Sequence, residues 1–429
     1  MILANGKIYD SSEQNRIIER LEEEINITRM EKRLDSDSVI NALDSLGKLF
    51  ANGEFSDIAA VYLKDTPQDY FSIVPDILKA ENLKFRLDTE LPAQLYSSRS
   101  FSPAYGIGLT ETRILPLGTL FHIAAGNMDG LSMFTVAEGL LTGNVNILKL
   151  PQADNGLTLA VFERLIEKFP ELAPFIYIFD TPSSDIEAMK KMARMSDGII
   201  TWGGDEAIGS VRAMSSPGTR LIEWGHKLSF AYISGYENRD EELDALARHI
   251  IDTRQLLCSS CQTIFIDTEK QEEVLAFCRE FLPFLENAAK GNPVRDAGIQ
   301  AEISLRRYTS KLEDLIGKGE QKDEFIGEGC SLYLSKKKGL ELSSMYGNCP
   351  VKKLPRRRLF EELRNSKNYL QTAGLICSPE LRDEITSILS MAGVNRVLRP
   401  ENMSATFCGE GHDGEYPLSR YVRIVNIEK

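Results

Sequence analysis

The chain has 429 residues, 42% of them hydrophobic and 26% charged, with a net charge of -13. That length exceeds what one core usually fills, so two or three domains are expected, and the acidic balance argues against a nucleic-acid partner, which needs a basic face. Seven cysteines, an odd number scattered along the chain, read as reduced thiols in a cytoplasmic setting and not as a disulfide framework.

Met1 to Asp10 lacks a basic stretch followed by an apolar one, so no signal peptide is expected. Residues 12–50 read as helical, because Ile17, Ile18, Leu21, Ile25 and Ile27, then Val39, Leu43, Leu46 and Leu49, recur among charged residues. Residues 94–113 are rich in Ser and Thr with short alternation, the pattern of a hairpin or extended excursion. The most apolar long window, Leu115 to Leu150, is interrupted by Asn127, Asp129, Glu138, Asn144 and Asn146, which argues against a membrane span.

From residue 114 apolar runs alternate with helical stretches. Strands are predicted at Ile114–Ala124, Val145–Leu150, Phe175–Phe179, Gly198–Trp202 and Thr219–Ile222, with helices near 129–142, 155–168, 184–194 and 204–213. This alternation is the signature of βαβ units and a parallel sheet, and burial of both faces explains strands without polar alternation. A second α/β set follows: strand Ser229–Ile233, helix 240–251, strand Thr263–Ile266, helix 271–287, then strands near 372–376 and 395–398 flanking helix 379–391. The basic run Lys352 to Arg358 reads as a solvated loop, or alternatively as a clamp for the phosphates of a cofactor or thioester carrier.

Several residues can carry chemistry. Cys258 lies in Asp252-Thr-Arg-Gln-Leu-Leu-Cys-Ser-Ser-Cys-Gln262. A thiol becomes a useful nucleophile only when its pKa is lowered by positive potential or backbone donors, and Arg254 would be one turn away if the segment were helical. A buried structural cysteine is the other reading. Cys258 and Cys261 form a C-x-x-C pair that Cys408 and His412 could extend to a zinc set, but without a tight second pair no metal is expected. Asn127 follows Gly126 at the end of an apolar run, where a side-chain amide can donate to a developing oxyanion or simply form a turn. Gly203 and Gly204 sit between strand and helix, where backbone N–H groups can approach a phosphate, although the spacing is not G-x-G-x-x-G. Glu223 and His226, at a strand end, could each act as a general base. A thiol, an amide donor and a nucleotide-binding α/β segment point to chemistry on an acyl or aldehyde carbon.

Taken as an ordered set, these pieces resemble the aldehyde dehydrogenase superfamily, and their finer texture resembles its acyl-CoA reductase branch of LuxC type. The closer match is carried by Trp202-Gly-Gly-Asp-Glu-Ala207, Gly225-His-Lys-Leu-Ser-Phe230, Cys258-Ser-Ser-Cys-Gln262, Tyr369-Leu-Gln-Thr-Ala-Gly374 and His412 through Arg423. The resemblance covers roughly residues 100 to 429. It implies an aldehyde dehydrogenase-like α/β fold: a Rossmann-like cofactor domain with its helical lead-in over 1–227, an α/β catalytic domain over 228–400, and a small β oligomerisation element. That element would join the excursion near 94–113 to the tail 401–429.

The resemblance also implies roles. Cys258 would be the acyl-accepting nucleophile, and Asn127 with the Cys258 backbone N–H would bind the oxyanion. Lys149, Gln152, Gly203 and Gly204 would face the cofactor, with Lys149 at its ribose or phosphate and Gly204 beneath the pyrophosphate. Gln152 stands where many members that use NAD carry an acid, so NADPH is the expected cofactor and NADH remains open. Cys261 stands where the branch usually has proline, and a second thiol there could be oxidised with the first. Glu223 falls where hydrolytic members keep their base. The implied activity is NAD(P)H-dependent reduction of an acyl-CoA or other acyl-carrier thioester to an aldehyde, in a homo-oligomer that could work beside an acyl-transferring enzyme. The alternatives are an oxidative aldehyde dehydrogenase using Glu223, and a catalytically silent scaffold with this fold.

Overall fold

The structure, a computed structural model, describes residues 1–56, 72–102, 105–106, 108–124, 131–154, 156–316 and 323–429. These fold as two compact units, Met1–Gly225 with Phe407–Lys429, and His226–Thr406.

The first unit opens with a hairpin of β1 (Ile2–Ala4) and β2 (Lys7–Tyr9), turned by Asn5 and Gly6 at φ +49° and +72°. Asn-Gly supplies the left-handed pair that a tight hairpin turn requires. Helices α1 (Gln14–Glu31) and α2 (Ser36–Ala51) follow. Ile18, Leu21 and Ile25 bury one stripe of α1, and Asp35 caps α2 by accepting the Ser38 N–H at 3.0 Å. After α3 (Ala80–Glu90) come β3 (Ser98–Phe101), β4 (Thr110–Pro116) and β5 (Thr119–Ile123).

The single strand expected over Ile114–Ala124 is therefore two. Pro116 ends the first, and Gly118 adopts φ +142°. A Cβ at 118 would collide with the Asp197 carboxylate and the Arg29 guanidinium, so only glycine makes this corner. The break sends β4 and β5 into different sheets.

The βαβ run then continues as α4 (Leu131–Leu141), β6 (Val145–Lys149), α5 (Leu157–Lys168), β7 (Ile176–Phe179), α6 (Ile186–Arg194), β8 (Gly198–Trp202), α7 (Asp205–Met214) and β9 (Arg220–Trp224). The strands order as β2-β1-β7-β6-β5-β8-β9, parallel from β7 to β9. Strand order reverses between β5 and β8, and such a switch point is where open α/β sheets bind ligands.

The second unit contains β10 (Leu228–Ser234), α8 (Arg239–Asp252), β11 (Cys261–Ile266), α9 (Gln271–Gly291), α10 (Ala297–Leu315), β12 (Glu324–Gly327), β13 (Cys330–Leu334), β14 (Asn348–Lys353), α11 (Arg356–Arg364), β15 (Leu370–Cys377), α12 (Arg382–Ala392) and β16 (Arg396–Leu398). Its sheet runs β12-β13-β14-β11-β10-β15-β16, parallel except at β12. Helix α10, strands β12 to β14 and helix α11 have no counterpart in the sequence reading. Pro350 inside β14 hides that strand, because proline argues against a central strand.

The basic run is not a loop. Lys352 and Lys353 end β14, and Arg356 to Arg358 open α11. Lys352 is buried, donating to the Lys337 and Gly339 carbonyls and pairing with Glu341. Arg356 pairs with Asp267 and Glu384, Arg357 with Glu269, and Arg358 with Glu362.

The tail returns to the first unit, where β17 (Val422–Glu428) pairs antiparallel with β4, and β4 with β3. The excursion and the tail thus form one three-stranded sheet. Asn144 donates to the Tyr421 carbonyl (3.0 Å), Arg220 to those of Arg420 and Val422, and Tyr421 to Glu138.

One buried polar group ties the first sheet to α4. His122 is fully buried, with Nδ1 at 2.9 Å from Thr135 Oγ1 and Nε2 at 3.0 Å from Asn146 Oδ1. The Asn146 amide nitrogen donates to the Asn144 and Phe175 carbonyls, so its oxygen accepts from Nε2–H, and Nδ1 accepts from Thr135. Burial holds His122 neutral and pushes its pKa down to about 4. The unfolded chain binds a proton near pH 6.5 that the folded chain refuses. This contribution to stability is therefore complete above pH 6.5 and is lost as pH falls toward 4. His122→Gln should flatten the pH dependence of unfolding by denaturant between these limits, removing a slope worth on the order of 3 kcal/mol; an unaltered slope would refute the assignment.

Candidate active site

In the first unit the candidate residues gather at the carboxyl ends of the parallel strands. Lys149 ends β6, Gly203 and Gly204 follow β8, and Glu223 lies in the last turns of β9, opposite Thr201. Asn127 lies outside the described residues. Lys149 is buried, its Nζ donates to Ser183 Oγ at 2.9 Å, and burial lowers its pKa. Gln152 is exposed in the turn just after β6.

Gly204 is the N-cap of α7, in extended backbone and with no side-chain cap. A Cβ at Gly204 would meet nothing within 4 Å, whereas one at Gly203 would press on Ala207 at 3.1 Å. The helix terminus is therefore approachable from Gly204, and its N–H groups carry the positive end of the dipole. Asp205 and Glu206 occupy its first turn and complement that dipole. A phosphate there would rest on backbone donors.

Glu223 does not stand ready as a base. Both of its oxygens accept from Arg212, Oε1 from Nε and Oε2 from Nη2, each at 2.6 Å. This fork-to-fork pair orients the carboxylate toward α7. Trp202 and Trp224, on adjacent strands, pack at 5.6 Å between ring centroids, and His412 of the tail lies 5.1 and 4.8 Å from them.

In the second unit the candidates lie at the opposite edge, before the strands begin. Helix α8 stops at Asp252, so the segment before Cys258 is a turn and not a helix. Arg254 and Gln255 adopt φ +50° and +59°. Arg254 is therefore not stacked one helical turn below the thiol. Consecutive left-handed residues other than glycine are strained, and a buried polar network holds them. The Cys258 carbonyl is drawn inward by Ser229 Oγ at 2.7 Å, and the same hydroxyl accepts the Thr372 N–H. Ser260 Oγ accepts the Leu257 N–H, and Ser259 Oγ meets Ser404 Oγ at 2.8 Å. With the backbone pinned inward, the Cys258 side chain is exposed.

Cys261 faces the other way. It is fully buried at the start of β11, its thiol directed at the Thr263 carbonyl and its N–H donated to His249 Nε2 at 3.2 Å. Burial pushes His249 down to about 4, so the ring stays neutral and keeps the lone pair that this contact needs. The C-x-x-C spacing thus separates an exposed thiol from a core thiol. Cys408 donates to the Asn82 carbonyl. Among the described residues no group of three His, Cys, Asp or Glu side chains is placed to hold a metal. His226 is exposed before β10, its ring 6.3 Å from that of Tyr369.

Sequence reasoning gave no individual role to Ser229, His249, Gln255, Gln262 or Tyr369. Ser229, Gln262 and Tyr369 do stand in the segments that carry the family resemblance, which is the one signal the sequence offered for them. None existed for His249 or Gln255, whose partners are fixed only by the fold.

Comparison with known proteins adds to this geometry. Residues 32–424 match a family model described as Acyl-CoA reductase (LuxC). A long-chain acyl-protein thioester reductase of Vibrio harveyi is 22% identical over 460 residues, covering 100% of this chain and 93% of that protein. Among solved structures, bifunctional proline utilization A (PutA) aligns at a TM-score of 0.75 and 14% identity, over 98% of this chain and 45% of that one. A lactaldehyde dehydrogenase aligns at 0.69 and 14%, over 100% and 96%. At such identities the structures show the fold, which is aldehyde dehydrogenase-like.

The cysteines differ sharply in access. Cys258 is exposed, Cys408 half-buried and the other five buried, and burial raises the pKa of Cys278 and Cys330 to about 12 and lifts that of Cys349 well above the ordinary thiol range. Iodoacetamide near neutral pH should therefore alkylate Cys258 first and leave the buried five until the protein unfolds. Peptide mapping by mass spectrometry checks this; equal labelling of Cys258 and Cys261 would contradict the arrangement.

Proposed function

Because this chain belongs to the acyl-CoA reductase (LuxC) family, we propose that it reduces a long-chain acyl thioester to the aldehyde, with the acyl group carried on Cys258. The observation that carries the reading is the exposed Cys258 thiol on a loop whose backbone is fixed from within. A silent scaffold has no need to hold a strained turn so that it presents a thiol.

The Cys258 thiolate adds to the thioester carbonyl. The tetrahedral oxyanion would be met by the Cys258 backbone N–H and, as the family resemblance implies, by the Asn127 amide, a kind of donor whose loss costs on the order of 10²–10³ in rate. The carrier thiolate departs, leaving the acyl group on sulfur. A nicotinamide cofactor, when bound, would supply the hydride that the thioacyl carbon needs. Cys258 would then leave the reduced carbon as the thiolate, freeing the aldehyde. Thioester, reduced cofactor and a proton thus become aldehyde, free carrier thiol and oxidised cofactor. Sulfur conjugates weakly with the carbonyl, so the intermediate stays open to hydride.

The residues present fit such a cofactor. Lys149 would meet its ribose or phosphate, and the uncapped terminus of α7 behind Gly203 and Gly204 its pyrophosphate. With Gln152 in place of an acid there is no charge at that position to repel a 2′-phosphate, so NADPH is the proposed donor and NADH is admitted. The carrier is coenzyme A or an acylated protein, the latter suggested by the name of the Vibrio harveyi relative. The three-stranded sheet of β3, β4 and β17, which leaves Ile424 exposed, is the surface this reading gives to oligomerisation.

The oxidative alternative needs Glu223 to activate water, and the bidentate pair with Arg212 opposes that role. Stopped-flow absorbance of NADPH and NADH with a panel of acyl-CoAs should show chain-length-dependent oxidation of the cofactor, absent in Cys258→Ala. Glu223→Gln should keep most of the reductase rate, where loss of a general base would cost about 10²–10⁴-fold. Activity surviving in Cys258→Ala, or lost with Glu223→Gln, would reject the mechanism.

A further inference from the structure

We infer that Gln255 is the positioning residue for the Cys258 thiol, clasping the turn that carries it to a separate loop some ninety residues downstream. The inference rests on the assignment of Cys258 as the acyl carrier and names the group that places it.

Gln255 is 1% exposed and left-handed. Its side chain reaches across the turn, with Nε2 donating to the Cys261 carbonyl at 2.8 Å. Gln262 answers from the far side, its Nε2 donating to the Gln255 carbonyl at 2.8 Å. The two glutamines thus bracket residues 256–260, with Cys258 at the middle. The other end of the Gln255 amide leaves the turn altogether: Oε1 accepts the Gly347 N–H at 3.1 Å.

The loop that supplies this donor mirrors the first. Met345, Tyr346 and Gly347 adopt φ +62°, +49° and +80°, and the Tyr346 N–H donates to the Arg254 carbonyl at 3.0 Å. Ser343 closes the far end, giving its N–H and hydroxyl to Gln262 Oε1 at 3.2 and 2.8 Å. Gly347 sits at a positive φ that favours glycine, and a Cβ there would lie 2.7 Å from Ile251 Cδ1, so the isoleucine would have to shift. Two strained loops therefore hold each other, and two side-chain amides touch both, Gln262 at the Ser343 end and Gln255 at Gly347, beside the left-handed residues. Strain retained beside a reactive group marks a conformation that the surroundings over-determine.

The chemistry of the clasp is specific to a primary amide of this length. A carboxylate keeps the acceptor for Gly347 but has no donor for the Cys261 carbonyl. A leucine of similar volume has neither. Gln255 does not touch the reacting atoms, so its loss should alter where the sulfur stands and leave cofactor binding intact.

The test compares wild-type chain, Gln255→Leu and Gln255→Glu. Acylation of Cys258 by tetradecanoyl-CoA is followed by quenched flow with intact-protein mass spectrometry, beside KM for NADPH and the rate of Cys258 alkylation by iodoacetamide. Gln255→Leu should slow acylation on the order of 10- to 100-fold, as a misplacement of about 1 Å does. KM for NADPH should stay unchanged, and Gln255→Glu should fall between. Acylation at the wild-type rate overturns the inference, and so does a loss of NADPH affinity in step with it. If Gln255→Leu does not fold, Gln255→Glu decides by the same two readings. Wild-type protein that takes up no acyl mass on Cys258 rejects the acyl-carrier assignment instead. The alkylation rate, which needs only a thiol, then decides the positioning role: a fall in Gln255→Leu supports it and no change overturns it.

Discussion

A thiol presented from a turn has no ladder of backbone hydrogen bonds to hold it, and its carbonyls and N–H groups must find partners elsewhere. Around Cys258 several of those partners are side chains. Ser229 takes the carbonyl of Cys258, His249 the N–H of Cys261, Gln255 the carbonyl of Cys261 and Gln262 that of Gln255. Each is buried or nearly so, and an unmade hydrogen bond in such surroundings costs about 1–3 kcal/mol. The turn consequently has one low-energy arrangement, and the direction of the sulfur follows from it. The rest of the second unit supports this network. Strands β10, β11, β14 and β15 bring Ser229, Gln262, Asn348 and Thr372 to one edge of the sheet, although these residues are far apart in the chain.

The first unit works on a different principle. Its candidate residues follow the carboxyl ends of parallel strands, and its geometry is set by a sheet that is buried on both faces. Polar groups inside that sheet are satisfied as a set: His122, Thr135 and Asn146 among themselves, and Asn144 by giving its amide to the Tyr421 carbonyl and its oxygen to the Gly118 N–H. Asn144 thereby fixes both the glycine corner that separates β4 from β5 and the tail that closes the unit. An aldehyde dehydrogenase-like fold in this chain thus depends on a few buried amides as much as on its apolar strands.

Much of this was legible in the sequence. The βαβ alternation from residue 114 located β6, β7, β8 and β9 within a residue or two but ran β4 and β5 together, because a buried strand of four to six apolar residues is a strong local signal and a corner between two such strands is not. The Asn5-Gly6 hairpin was equally readable and passed unnoticed, since three-residue strands show no periodicity. Helix α10 and strands β12 to β14 escaped for opposite reasons. The helix leaves Leu305, Tyr308, Leu312 and Leu315 exposed and so lacks the polar outer face that defines a surface helix. The third strand is interrupted by Pro350.

The candidate residues divide in the same way. By itself the sequence determined which chemical groups exist and in what order: a cysteine after an α/β segment, a lysine at a strand end, a glycine pair before a helix, a glutamate on the last strand. Those follow from local pattern, which needs only neighbouring residues. Tertiary structure alone decided which group can act. It exposed Cys258 and buried Cys261 three residues away, bound Glu223 to Arg212 across a strand–helix turn, and paired off the basic run from Lys352 to Arg358. Reactivity depends on burial and on partners distant in the chain. Those are properties of packing, which no window of neighbouring residues contains.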